Sequence, residues 1–421
     1  MIFKSSRSLL SGVVRVPASK SHTIRAIVLA GIADGISILR NLLYSNDTIS
    51  CIEGIKKLGA EVEENKEFNL IKVKGIGNKI EKECMIDVGN SGTTLRLLTA
   101  LTSTSSVPIH FDGDSSIRQR PMKPLFDALK MLGATITSND NKCPFTIQGP
   151  IKGGKTEIDA ISSQFLSGLL LACPIINGDT EIKVIRLNER PYVELTLDWM
   201  RYMNISFENK DLEYFYIKGN QKYHAFDKEI AADFSTATFP ACAAVITGSE
   251  VLIKGLDFSD HQGDKAVFTY LQEMGAEVIH TTDGVIVKGK KLKGIDIDMN
   301  NTPDALPAMA VVACFAEGTT RLLNVPQARI KECDRIKACF TELRKMGAQI
   351  EELEDGLIIK GSKLKGTNLH GYNDHRMVMA LSIAGMAADG ETFVDTAESA
   401  SITYPQFFDD MKKLKSNISI I

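Results

Sequence analysis

The sequence predicts an α/β (α+β) chain of two globular lobes, each built from three βαβαββ repeats. Three observations predict it. First, a short strand runs into a polar helix start six times, at Lys20-Ser21, Asn90-Ser91-Gly92-Thr93, Ser162-Ser163-Gln164, Asp233-Phe234-Ser235-Thr236, Thr302-Pro303-Asp304 and Asn373-Asp374-His375-Arg376. Second, the markers Ser21, Ser91, Ser163, Ser235, Asp304 and Asp374 lie 70, 72, 72, 69 and 70 residues apart. Third, the segments that follow each start recur in the same phase. A fixed period of this length is a statement about fold. Each helix N-terminus also carries free N–H groups and partial positive charge, so six starts are six candidate anion seats.

The elements of the unit follow in order. After the first helix comes a turn and strand, as in Asp34-Gly35-Ile36-Ser37-Ile38, Gly178-Asp179-Thr180-Glu181-Ile182 and Asp389-Gly390-Glu391-Thr392-Phe393. A second helix ends in Leu58-Gly59-Ala60, Leu132-Gly133-Ala134, Met203-Asn204, Met274-Gly275-Ala276 or Met346-Gly347-Ala348, the expected left-handed stop. A hairpin closes the unit with alternating apolar residues before a glycine, as in Ile71-Lys72-Val73-Lys74-Gly75 and Leu357-Ile358-Ile359-Lys360-Gly361. The sixth unit lacks one hairpin strand. Residues Ile2-Phe3-Lys4-Ser5-Ser6 stand at the offset of that strand, so the N-terminus is expected to pair with the last repeat. Grouping the units three and three gives a first lobe over 15–229 and a second over 1–14 and 230–421, with hinges near 12–15 and 229–232.

Composition narrows the class. A hydrophobic share of 44% and a charged share of 24% describe an ordinary globular chain. Its net charge of −3 gives no basic field for nucleic acid or an anionic membrane. No apolar run approaches the roughly 18 residues a bilayer span needs, and the N-terminal apolar run is broken by Gly12 and Arg15, so no signal peptide is expected. Eight cysteines without a CxxC pair argue against disulfides and for a reducing cytoplasm. The scattered histidines lack metal-ligand spacing, and no G-x-S-x-G or Walker A loop is present.

Chemistry concentrates at the helix starts. Lys20, Ser21 and Arg25 combine an ammonium, a hydroxyl and a guanidinium at a positive helix end, an anion grip or equally a capped helix with solvated charges. Gly89-Asn90-Ser91-Gly92-Thr93-Thr94 with Arg96 lets backbone approach a ligand. Arg118-Gln119-Arg120-Pro121 sets two cations beside a helix start, where cations are unfavourable, so they are expected to serve something else. Arg190-Pro191-Tyr192 holds the same phase one repeat later. Ser162, Ser163 and Gln164 suit hydroxyl or phosphate recognition. Asp304 reads either as an N-cap or as a general base. Lys331 and Arg335, taken as i,i+4 on one helix, need an anion or carboxylate between them, and Glu332 is a second acid/base candidate. Asn373-Asp374-His375-Arg376 packs cap, carboxylate, imidazole and guanidinium into four residues. Together these point to small, multiply anionic substrates, with proton transfer and electrostatic stabilisation.

In order along the whole chain, these motifs resemble those of the 5-enolpyruvylshikimate-3-phosphate synthases. The carrying residues are Ser19-Lys20-Ser21 with Arg25, Gly89-Asn90-Ser91-Gly92-Thr93, Arg118-x-Arg120-Pro121-Met122, Ser162-Ser163-Gln164, Pro303-Asp304, Lys331-Glu332-x-Asp334-Arg335 and Asn373-Asp374-His375-Arg376. The resemblance implies an inside-out α/β barrel of two lobes closing on substrate, without metal or organic cofactor. It implies transfer of the enolpyruvyl group of phosphoenolpyruvate to the 5-hydroxyl of shikimate 3-phosphate, releasing phosphate. Shikimate 3-phosphate would meet Lys20, Ser21, Arg25, Ser162, Ser163, Gln164, Tyr192, Asp304, Gln327 and Lys331. Phosphoenolpyruvate would meet Lys20, Asn90, Gly92, Thr93, Arg120, Gln164, Arg335, His375 and Arg376. Lys20, Asp304, Glu332 and His375 are the catalytic candidates. A cytoplasmic monomer is expected, with no nucleic-acid or membrane partner.

Four positions depart from the resemblance. Ile402 stands where many members carry Lys, Gln327 where Asn is common, and Leu97 where one subgroup has Pro. Glu189 stands where a Ser often binds the sugar-ring phosphate, and a carboxylate there would repel it unless it turns away. Two other readings exist. A UDP-N-acetylglucosamine enolpyruvyl transferase would carry Lys-Asn near the start and a Cys in the loop that here reads Asp114-Ser115-Ser116-Ile117. A non-enzymatic repeat scaffold would spread its polar residues over a surface rather than confine them to one phase.

Overall fold

A computed structural model of the chain describes residues 1–421. It contains six four-stranded sheets, one for each expected repeat. Each sheet has a parallel pair followed by an antiparallel pair, which is a hairpin in all but the sixth. In the second repeat the order is Cys84–Asp87, Ile109–Asp112, Phe145–Gln148, Thr135–Ser138. Register puts alternate side chains inward: in Leu70–Lys74, Ile71 and Val73 are buried while Lys72 and Lys74 are exposed.

The two helices of a unit differ in burial for a reason visible in their residues. All nine residues of Leu306–Cys314 are buried, as are all but the last of Phe234–Ile246. These first helices are buried on every face and lie within the core. The second helices bury one stripe only. In Arg335–Lys345 the buried residues are Arg335, Ile336, Ala338, Cys339, Glu342 and Leu343, a spacing of three and four.

The chain forms two compact units, Ala18–Ala231 and Met1–Pro17 with Ala232–Ile421. Each has its own hydrophobic core. Phe3–Ser6 pairs antiparallel with both Thr392–Val394 and Asn417–Ile420, so the N-terminus completes the sixth sheet as expected.

The strands beside the two hinges pair outside the repeats whose helices they lead into. The strand leading into the first helix, Ser11–Arg15, does not join the first repeat's sheet. It pairs in parallel with Glu250–Lys254 of the fourth repeat. In exchange, Asp227–Glu229 pairs with Ile36–Arg40 of the first. Each connecting strand pairs in the lobe the chain is about to leave, and so covers a sheet edge that would otherwise lie open.

Candidate active site

The first-lobe cluster begins at the helix Lys20–Ile32. Ser19 is its N-cap, its hydroxyl accepting the His22 N–H at 3.4 Å, so Ser21 lies inside the first turn. Lys20 Nζ meets Asp47 Oδ2 at 3.0 Å. Arg25 is fully buried, and its guanidinium is held by neutral oxygens. Nε donates to Thr196 Oγ1 at 2.9 Å, Nη1 to the Ser21 carbonyl at 3.0 Å, and Nη2 to Ser167 Oγ at 3.3 Å and the Tyr192 carbonyl at 3.2 Å. Burial draws its pKa down to about 10. Trp199 Nε1 donates to His22 Nδ1 at 2.9 Å, which ties this helix to Arg190–Tyr202.

A second group forms around Gly92, the first residue of Gly92–Thr102. A Cβ there would lie 2.3 Å from Arg96 Nη1 and 2.7 Å from Arg120 Nη1. Only glycine lets two mostly buried guanidiniums approach so closely. Arg96 Nη1 donates to Gln164 Oε1 at 3.2 Å, and Gln164 Nε2 to Thr93 Oγ1 at 3.0 Å. Arg120 Nη2 donates to Asn90 Oδ1 at 2.7 Å and Ser116 Oγ at 3.2 Å. The side chains of Asn90, Thr93, Arg120 and Gln164 thus converge with Gly92, as does Arg96, which the site expectation omitted. Two like charges on one glycine favour a shared anion.

The helix Ser163–Ala172 is capped by Ser162, whose hydroxyl accepts the Gln164 N–H at 3.4 Å. Ser163 donates its N–H at 3.2 Å and its hydroxyl at 2.7 Å to Glu189 Oε2. Glu189 is therefore turned inward, with only 2% of its surface exposed.

The second-lobe cluster is organised by Arg335, also fully buried. Nε donates to Asp374 Oδ2 at 2.8 Å, Nη1 to Asp304 Oδ1 at 2.7 Å and Nη2 to Glu332 Oε2 at 2.7 Å. Asp304 Oδ2 accepts from Arg376 Nη2 at 2.8 Å, and Lys331 Nζ stands 3.9 Å from its Oδ1. Burial alone would raise the Asp304 carboxyl, but Arg376, Lys331 and Arg335 together hold it well below the usual carboxylate range. Burial lowers and the carboxylates raise the Arg335 guanidinium, and the carboxylates win. Asp374 also caps His375–Gly385, accepting the Arg376 N–H at 2.8 Å, and His375 is fully buried beside it. Gln327 donates to the Asn300 carbonyl at 2.8 Å.

Three local expectations change. Asp304 is not an N-cap. It lies in the 3₁₀ turn Pro303–Ala305, and Leu306–Cys314 has no side-chain cap. The other five starts have side-chain caps, at Ser19, Ser91, Ser162, Asp233 and Asp374. Lys331 and Arg335 do not share a helix, since Asp334 caps Arg335–Lys345 and Lys331 precedes it. Both still reach Asp304, the carboxylate their spacing asked for. The two arginines before Pro121 divide: Arg118 makes an exposed pair with Asp112 at 2.6 Å, whereas Arg120 is buried with Asn90.

Side chains outside the sequence expectation complete both clusters. Asp47 lies within the first turn of Asn46–Leu58, where an acid is ordinary. Asp264 is buried and accepts from the Ser235 hydroxyl. Burial, then the Asp304 charge, push its carboxyl up to about 7, partly offset by Arg376. Its neighbour Gln262 braces the helix start, accepting the Phe234 N–H at 3.0 Å and donating to the Ala232 carbonyl at 2.9 Å. No group of three or more His, Cys, Asp or Glu is arranged to hold a metal ion. No helix is long and apolar enough to cross a membrane.

The sequence model of the family described as "EPSP synthase (3-phosphoshikimate 1-carboxyvinyltransferase)" matches residues 5–411. A 3-phosphoshikimate 1-carboxyvinyltransferase of Acetivibrio thermocellus is 50% identical over 425 residues, covering 100% of this chain and 99% of the relative. One of Ruminiclostridium cellulolyticum is 46% identical, covering 100% of both, and one of Methanocaldococcus jannaschii is 44% identical, covering 98% of this chain and 97% of the relative. Among solved structures, an EPSP synthase from Acinetobacter baumannii superposes with a TM-score of 0.84 at 26% identity, covering 99% of each chain.

Proposed function

We propose residue roles on one premise: this chain belongs to the EPSP synthase family and is a transferase with 3-phosphoshikimate 1-carboxyvinyltransferase activity, a step of the shikimate route to aromatic amino acids. Its substrates are then phosphoenolpyruvate and shikimate 3-phosphate. On the first lobe, Lys20, Ser21, Arg25, Ser162, Ser163, Gln164 and Tyr192 bind shikimate 3-phosphate. Asn90, Gly92, Thr93 and Arg120 bind phosphoenolpyruvate, with Lys20 and Gln164 contributing to both. On the second lobe, Lys331, Gln327 and Asp304 contribute to the cyclohexene ring of shikimate 3-phosphate, and Arg335, His375 and Arg376 to phosphoenolpyruvate. Arg96 joins the phosphoenolpyruvate set, because it flanks Gly92 together with Arg120.

The chemistry asks for three proton movements. The methylene carbon gains a proton to become a methyl group, the 5-hydroxyl loses one as its oxygen adds, and the methyl group of the tetrahedral intermediate gives one up as phosphate is expelled and the double bond re-forms. Asp304, Glu332, Lys20 and His375 are the groups available. The observation that carries this reading is the double hold on Asp304 by Arg335 and Arg376. A carboxylate so held is a weak base. An incoming anion that draws off either guanidinium releases it, so Asp304 gains basicity as substrate arrives.

The deciding measurement is phosphate release from phosphoenolpyruvate plus shikimate 3-phosphate. Release is expected. No release there, with release when UDP-N-acetylglucosamine is the acceptor, would overturn the reading. A cytoplasmic monomer belongs to the same proposal. All eight cysteines are free, which suits a reducing compartment. Sedimentation at micromolar concentration tests the monomer.

A further inference from the structure

The start of Ser163–Ala172 is already satisfied from within. The Ser163 N–H and hydroxyl go to Glu189 Oε2 at 3.2 and 2.7 Å, the Gln164 N–H goes to the Ser162 hydroxyl at 3.4 Å, and the Phe165 N–H to the Ser162 carbonyl at 3.2 Å. A carboxylate thus sits where a helix N-terminus receives an anion. The two loops that meet here are joined at further points. The Asn188 N–H donates to the Ala160 carbonyl at 3.1 Å, and Asn188 Nδ2 to the Ile161 carbonyl at 3.2 Å. Glu189 itself takes a left-handed backbone, φ 60°, which a non-glycine residue adopts only when its surroundings hold it. In this fold a buried carboxylate, rather than solvent, occupies Ser163.

We propose that Glu189 is a built-in competitor for the phosphate of shikimate 3-phosphate. It holds the donors of Ser163 and gives them up when that phosphate binds. The inference rests on the assignment of Ser162 and Ser163 to the shikimate 3-phosphate site. Two charge-assisted bonds must break before the substrate can form its own, so the exchange lowers affinity for the phosphorylated ring. It also raises selectivity. A ligand without phosphate cannot displace Glu189, while a dianion with three acceptor oxygens can.

The experiment compares wild type with Glu189→Gln and Glu189→Ser. The glutamine keeps the shape and removes the charge, and the serine removes the competitor. In both variants KM for shikimate 3-phosphate is expected to fall about tenfold. KM for phosphoenolpyruvate and inhibition by unphosphorylated shikimate should stay constant. An unchanged or higher KM in both variants overturns the inference. So does a parallel change for shikimate and its phosphate, which would place Glu189 on the ring. A second readout does not depend on turnover: inorganic phosphate should raise the melting temperature of Glu189→Gln more than that of wild type. If wild type releases no phosphate from phosphoenolpyruvate in the presence of shikimate 3-phosphate, the functional assignment fails, and the melting comparison still judges whether Glu189 guards an anion seat.

Discussion

The two lobes hold their arginines in opposite ways. In the first lobe, Arg25 is bonded to hydroxyls and carbonyls, Arg96 to an amide, and Arg120 to an amide and a hydroxyl. These partners fix geometry without cancelling charge. In the second lobe, Arg335 meets three carboxylates and Arg376 shares one of them. There the charge is balanced internally. The first arrangement positions guanidiniums through neutral oxygens at the helix starts. The second is an acid/base set whose strength depends on who holds the guanidiniums. Preorganised donors of the first kind are most effective where charge must be bound, and adjustable pairs of the second kind where protons must move.

The strongest test falls on the second lobe. Asp304→Ala should lower turnover by about 10²–10⁴-fold while KM changes little, read by phosphate release. A loss confined to KM would make Asp304 a binding group alone, with no part in proton transfer, and erase the distinction. Next comes a matched pair. Arg335→Met leaves three carboxylates without their common partner and should cost about 3–5 kcal/mol in urea unfolding. Arg25→Met strands only neutral oxygens and should cost about 1–3 kcal/mol while abolishing tight substrate binding. Equal losses would mean that the partners' charge is irrelevant. Gly92→Ala should raise KM for phosphoenolpyruvate about tenfold through displaced arginines, with little change in melting temperature, since the atoms met are the far ends of flexible side chains.

The smallest expected effect is one of shape. The Asp264 carboxyl sits near 7 in the folded chain and near 3.8 in the unfolded one, so between those values the native state binds the extra proton. Its contribution to stability is complete below about pH 4 and is lost as pH rises through about 7. Asp304 works the other way, adding stability at neutral pH that is lost on acidification. Asp264→Asn should remove the decline between about pH 4 and 7 in a melting-temperature series. A variant whose curve parallels wild type would show that Asp264 does not titrate in that window.

Much of the fold was legible because period, helix stop and hairpin glycine are local signals that repeat. The hinges placed residues 1–14 with the second lobe and residues up to 229 with the first, but the sheet that each of these strands joins was not legible, because Ser11–Arg15 and Asp227–Glu229 stand in the same place before their helices as any other first strand. Nothing local says which sheet a strand joins. The site was legible as a set of residue types at helix starts. What could not be read was the partner of each charge. Arg25 meets Thr196 across 171 residues, and Arg376 meets Asp304 across 72. Asp304 itself was ambiguous because aspartate is favoured both as a cap and as a base. The 3₁₀ turn at Pro303 resolves it by taking the carboxylate out of the capping position.

The exchanged strands also set a schedule for synthesis. Every sheet of the first lobe is complete once the chain has been made to Glu229. The second lobe takes Ser11–Arg15 into a sheet whose next strand begins at Glu250, and Phe3–Ser6 into one that ends at Ile420. Segments made early therefore wait for segments made late, and Phe3–Ser6 acts as the closing latch of the lobe that is made second.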